Sequence, residues 1–245
     1  MLARGGMLLV AALLVLTAIN ATATDLQPAA LRVAVTAVLA WLAPLFWPGN
    51  GATPGRTALR IVVWSAAVAC LAAMLLQILG HRVQPIGRVL ASCAMLMLVL
   101  LVTHTLAAAL EARWRGQSGQ APSARELAGR TVAIALGLLG SLPLWLGPVG
   151  ELLSKPHAWI IDAALAVSPL THLAVASQND LLRNQWFYQH ANLAALPFSY
   201  PGMAELTLSY ASVACVLALV ALALRRRPRP AADTTHIRST TEKTS

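Results

Sequence analysis

Charge is scarce in this chain: only 11% of its 245 residues are Asp, Glu, Lys or Arg, against about 25% in an ordinary soluble domain. Lysine is nearly absent, with Lys155 and Lys243 the only two. A phosphate-binding loop needs a lysine followed by serine or threonine after a glycine-rich turn. Lys155 precedes Pro156, and Lys243, although followed by Thr244, follows Glu242 rather than a glycine turn. The chain has no such loop of its own, so any ATP would be handled by another subunit. The three cysteines, Cys70, Cys93 and Cys215, fall inside apolar runs. That excludes a disulfide framework or a closely spaced zinc motif and makes them small buried hydrophobes. The six histidines are scattered, with no HExxH, and neither a metal nor an organic cofactor is expected.

Hydrophobic residues make up 58% of the chain and the mean hydropathy is +0.66, which excludes a soluble globular protein. Divided by the roughly 20 apolar residues that cross a bilayer, the length has room for about five to seven crossings. Six runs stand out: 7–23, 31–47, 60–79, 89–110, 130–146 and 204–224. Arg4, Met7 to Ile19 and Ala21-Thr22-Ala23 also meet the description of a cleaved signal peptide; retained or cleaved, Thr24 emerges on the far side. The net charge of +9 sits in short clusters between apolar runs rather than on one surface, so no nucleic-acid partner is expected.

A further apolar stretch, His157 to Ser177, decides the topology. Basic residues in short loops favour the cytoplasm. With six crossings only Arg32, Arg82, Arg88, Lys155 and Arg183 of the 18 basic residues stay outside, whereas a seventh crossing exports the Arg225-Arg226-Arg227 tail. Six spans with both ends cytoplasmic follow. Serine is a good N-cap, proline suits the first helical position, and the residue before proline avoids α conformation. Ser168-Pro169 therefore predicts a break between helices over about Pro156–Val167 and Pro169–Leu182. At 1.5 Å per residue each half is roughly 18–21 Å long, too short for a core of about 30 Å. The expected architecture is an all-α, polytopic membrane bundle of about six transmembrane helices in one domain, 1–224. A re-entrant or interfacial hairpin, 156–182, an outer aromatic segment, 183–203, and a basic disordered tail, 225–245, complete it.

Ionisable residues within a membrane are costly and hence candidates for function. Asp162 and His172 lie about 15 Å apart along a straight helix; a turn at Pro169 would permit a proton relay or a polar substrate contact, and otherwise both face interfacial water. His104, between Thr103 and Thr105, suits helix-to-helix hydrogen bonding, and Glu205 suits capping of the last span. The inner loops, 49–59 and 111–129, place Arg56, Arg113, Arg115 and Arg125 where a cytoplasmic partner would dock, although arginine there is also what orientation alone demands. Pro122-Ser123 reads as the start of a short helix with Ser123 as cap. Cys70 and Cys93 are expected towards opposite ends of neighbouring spans.

Six spans, both ends inside, an external hairpin before the last span, and Ser168-Pro169-Leu170-Thr171-His172-Leu173 resemble the permease subunits of type-two ABC exporters. The distance of Arg183 from Pro169 and the long aromatic segment depart from that pattern. The resemblance implies a non-enzymatic subunit in a bacterial inner membrane, paired with a second copy or another permease, contacting lipid, and driven by separate ABC ATPase subunits. Asp162, Ser168, Pro169, Thr171 and His172 would then belong to the transport hairpin. The alternatives are a membrane scaffold or assembly subunit, and a membrane-embedded thiol peptidase using Cys70 or Cys93.

Overall fold

A computed structural model of the chain describes residues 2–22, 27–79, 85–118, 121–152, 158–180 and 200–226. The described residues form helices α1 Leu2–Thr22, α2 Pro28–Leu42, α3 Pro54–Leu79, α4 Ile86–Ser118, α5 Ala121–Leu152, α6 Ala158–Val167, α7 Pro169–Ala176 and α8 Met203–Arg226. No strand occurs among them. The fold is thus the expected all-α polytopic bundle, because in lipid only a helix satisfies its backbone within its own segment. Five helices, α2 with its extension, α3, α4, α5 and α8, are long and apolar enough to cross a membrane, and α6 with α7 would make a sixth span if counted as one. The apolar part of α1, Ala3–Ile19, is at the short end of the roughly 17–25 residues that cross a bilayer.

Helix α4 is the centre. It packs against α2, α3, α5, α7 and α8, and 61% of its apolar window is buried, against 11% for α8. Its small buried residues Ala107, Ala108 and Ala109 let neighbouring backbones approach closely. Pro44 lacks the N–H for an α-helical bond, and the end of α2 tightens into a 3-10 turn, Ala43–Phe46. Gly129 lies directly beneath that turn: a Cβ there would strike the Pro44 carbonyl oxygen. A side chain at residue 129 would push α5 away from α2.

The break at Ser168 is present, with a 78° bend between α6 and α7. Ser168 has extended backbone, and its Oγ accepts from the Thr171 N–H at 3.4 Å, as an N-cap should. The second half stops at Ala176 rather than near Leu182. Gln178, with φ +52°, turns the chain so that Asn179 N–H donates to the Ala174 carbonyl at 2.9 Å, a left-handed C-terminal stop. Two other expectations are corrected. Ser123 does not cap a short helix but lies in the first turn of α5, which continues unbroken to Leu152. Cys70 lies nine residues before the end of α3 and Cys93 seven after the start of α4, so the two stand at similar distances from the α3–α4 connection rather than at opposite ends. The expected aromatic segment falls almost wholly outside the described residues, as do the residues of the tail beyond Arg226.

Candidate functional site

Two polar clusters occupy opposite ends of the bundle. The first centres on Glu111, which is fully buried near the end of α4. Its Oε2 accepts from Trp47 Nε1 at 3.2 Å and from the Asn50 N–H at 2.9 Å, while Oε1 pairs with Arg115, one turn further along α4. Asn50 Nδ2 also donates to the Ala108 carbonyl at 2.9 Å. Gly49, with φ +87°, supplies the left-handed turn that brings Asn50 to Glu111, a conformation costly for residues with a Cβ. A Cβ at Gly49 would also come within 2.7 Å of Arg125 Cδ, so the Arg125 stem lies across the turn. Arg60 Nη1 donates to the Gly49 and Asn50 carbonyls, and Arg4 donates to the Trp47 carbonyl. The first two turns of α1, α3 and α5 and the ends of α2 and α4 are thereby gathered around the turn 47–50 that Glu111 holds.

The cluster extends inwards along α4. His104, two turns before Glu111 and buried, stacks on Trp47 with ring centroids 5.2 Å apart and planes at 18°. Its Nδ1 is 2.9 Å from Ser65 Oγ on α3, the helix-to-helix bond expected for it. A line of contacts, polar but for the ring stack between His104 and Trp47, thus runs Ser65, His104, Trp47, Glu111, Arg115.

Of the four arginines expected to dock a partner, the structure turns two inwards. Arg115 is engaged by Glu111 and Arg125 covers Gly49; Arg56 and Arg113 remain exposed. Trp47, Asn50 and Glu111 were not singled out from the sequence. The available signal was an acid, one of nine in the chain, ending an apolar span four residues before an arginine.

The second cluster ties α7 to four helices. Ser168 Oγ is 3.3 Å from the Gly140 carbonyl of α5. His172 Nδ1 is 2.9 Å from the Tyr210 hydroxyl of α8, the rings meeting edge to face at 5.5 Å. Ser177, just after α7, bonds Ser92 of α4 at 3.1 Å, and its carbonyl accepts from Arg32 Nη2 of α2 at 2.8 Å. Arg32 is buried, with 1% of its surface exposed, and its cation sits at the carbonyl end of α7, where the helix dipole favours it. Nothing in sequence spacing pairs residues 32 and 177. Pro169, Thr171 and His172 are buried, whereas Asp162 is exposed on α6 and makes no hydrogen bond or ion pair with His172. At the start of α8 the Gly202 N–H donates to Glu205 Oε2 at 3.1 Å, the capping role expected of Glu205.

Among the described residues no group of three or more His, Cys, Asp or Glu side chains gathers as a metal site would require. No family model, no curated protein and no solved structure matches the chain.

Proposed function

We propose that the chain is the membrane-spanning permease subunit of an ATP-driven exporter, set in a bacterial inner membrane with both termini cytoplasmic and ATP hydrolysed by a separate subunit. The observation that carries this reading is the bent pair α6–α7 immediately before the last span, with α7 sunk among α2, α4, α5 and α8. A half-helix that enters the bundle and turns back must be sheltered by protein, and here it forms a plug whose every polar tie leads to a different helix. The Glu111 cluster supports the same reading at the basic end. It makes the ends of five helices one unit, so a partner acting on exposed Arg56 and Arg113 would move them together. Differential affinity of that partner for two arrangements supplies the driving free energy.

The test is affinity purification of the full chain from its native membrane, with bound proteins identified by mass spectrometry and ATP hydrolysis measured in the eluate. Wild type should bring down a P-loop ATPase, and R56E together with R113E should release it while leaving the chain in the membrane. Purification without an ATPase, or association unchanged by both replacements, overturns the proposal.

A further inference from the structure

Helix α7 is eight residues long, too short to persist as a helix without packing, so it keeps its shape only in its seat. Apolar contact adds little there, because lipid would cover the buried Leu173 and Ala174 about as well as protein does. Its polar groups decide, and they are poorly served. Thr171 Oγ1 is buried with no hydrogen-bond partner, which costs free energy that a bond would have offset. The bonds of the first turn are long. Ser168 Oγ to the Gly140 carbonyl and the His172 N–H to the Ser168 carbonyl each measure 3.3 Å, and the Thr171 N–H to Ser168 Oγ measures 3.4 Å, against about 2.7–3.2 Å for well-formed N–H bonds.

The other end is strained. Gln178 N–H donates to the Val175 carbonyl and Asn179 N–H to the Ala174 carbonyl, the two bonds of a Schellman stop, whose left-handed position glycine usually takes. Here Gln178 takes it at φ +52°, the only non-glycine with positive φ among the described residues, and its Cβ makes that conformation costly. At the start, Ser168 has extended backbone and α6 meets α7 at 78°. We infer that α7 is a spring-loaded element, seated by the bonds to Ser92, Arg32 and Tyr210 against an unmet hydroxyl at Thr171 and a strained joint at Gln178. It unseats as one unit about Ser168 and Gln178, uncovering Ser92 and Tyr210 and giving Thr171 a partner in water. This release does not depend on the exporter reading.

The experiment is hydrogen exchange on the full chain in phospholipid nanodiscs, read residue by residue by mass spectrometry with electron-transfer fragmentation. Wild-type amides of residues 172–176 should exchange together, on the order of a hundredfold faster than residues 93–105 in the middle of α4. Thr171→Val, which removes the unmet hydroxyl and keeps the shape, should slow that exchange about tenfold. Thr171→Ser, which keeps the hydroxyl, should not slow it, and Gln178→Gly should slow it about threefold. Rates graded from one end mean fraying rather than release of a unit and overturn the inference. Exchange as slow as that of α4 overturns it too, as does Thr171→Val exchanging as fast as wild type or Thr171→Ser slowing as much as Thr171→Val. If Thr171→Val fails to fold, Gln178→Gly decides: unchanged exchange there means that the seat is not under strain.

Discussion

Replacing Glu111 by alanine removes the single acceptor shared by Trp47 Nε1, the Asn50 N–H and the Arg115 guanidinium. Polar contacts between helices in membrane proteins average about 0.6 kcal/mol and reach about 1.7, so three donors amount to about 2–5 kcal/mol. Breaking a buried ion pair by deleting one partner costs about 3–5 kcal/mol. The Arg115 side chain is 35% exposed and regains water when released, which places the expected loss in the lower half, about 2–3 kcal/mol. That is about a 30- to 150-fold rise in the unfolded-to-folded ratio. Glu111→Gln keeps the shape and one acceptor oxygen and should cost about half as much.

The assay is thermal unfolding of the purified chain in mild detergent, supplemented by inactivation rates at fixed temperature, because proteins of this kind often unfold irreversibly. A double-mutant cycle with Trp47→Phe isolates one contact: the Trp47 replacement should cost less by about 0.5–1.5 kcal/mol when Glu111 is already alanine. If Glu111→Ala is as stable as wild type, or the two replacements are simply additive, the carboxylate does not organise this end of the bundle and the reasoning fails.

Glycine substitutions should divide by what a Cβ would meet. Gly129→Ala and Gly49→Ala, the one against the Pro44 backbone and the other at φ +87° beside Arg125, should each lose about 1–3 kcal/mol. Gly55→Ala, in the first turn of α3 with nothing within 4 Å, should gain a few tenths to about 1 kcal/mol; melting temperatures of the three variants check the order. At the bent pair, Ser168→Ala should cost about 1 kcal/mol for the lost cap. Tyr210→Phe should loosen α7, read as faster hydrogen exchange of the amides of residues 170–176; unchanged exchange would mean that the His172–Tyr210 bond does not hold α7.

The broad plan was legible in sequence because it rests on one-dimensional quantities. Twenty-odd apolar residues must become a helix in lipid, and Ser168-Pro169 breaks a helix by local stereochemistry alone. Glu205 as a cap and His104 as an interhelical bonding group were equally local inferences, needing only a helix terminus or a polar atom within an apolar span. What packing alone decided is which arginines are engaged. Arg32, Arg56, Arg60, Arg113, Arg115 and Arg125 look alike along the chain, yet Arg32 caps α7, Arg115 neutralises Glu111, and Arg56 stays in the open. The Arg32 role depends on Ser177, 145 residues away. Although Glu111 is only one turn from Arg115, what buries that carboxylate is the approach of Trp47 and Asn50, set by helix crossings, by Gly129 under Pro44 and by the turn at Gly49. Charge is a property of the residue, but its use is a property of the neighbours, and only the assembled bundle chooses those.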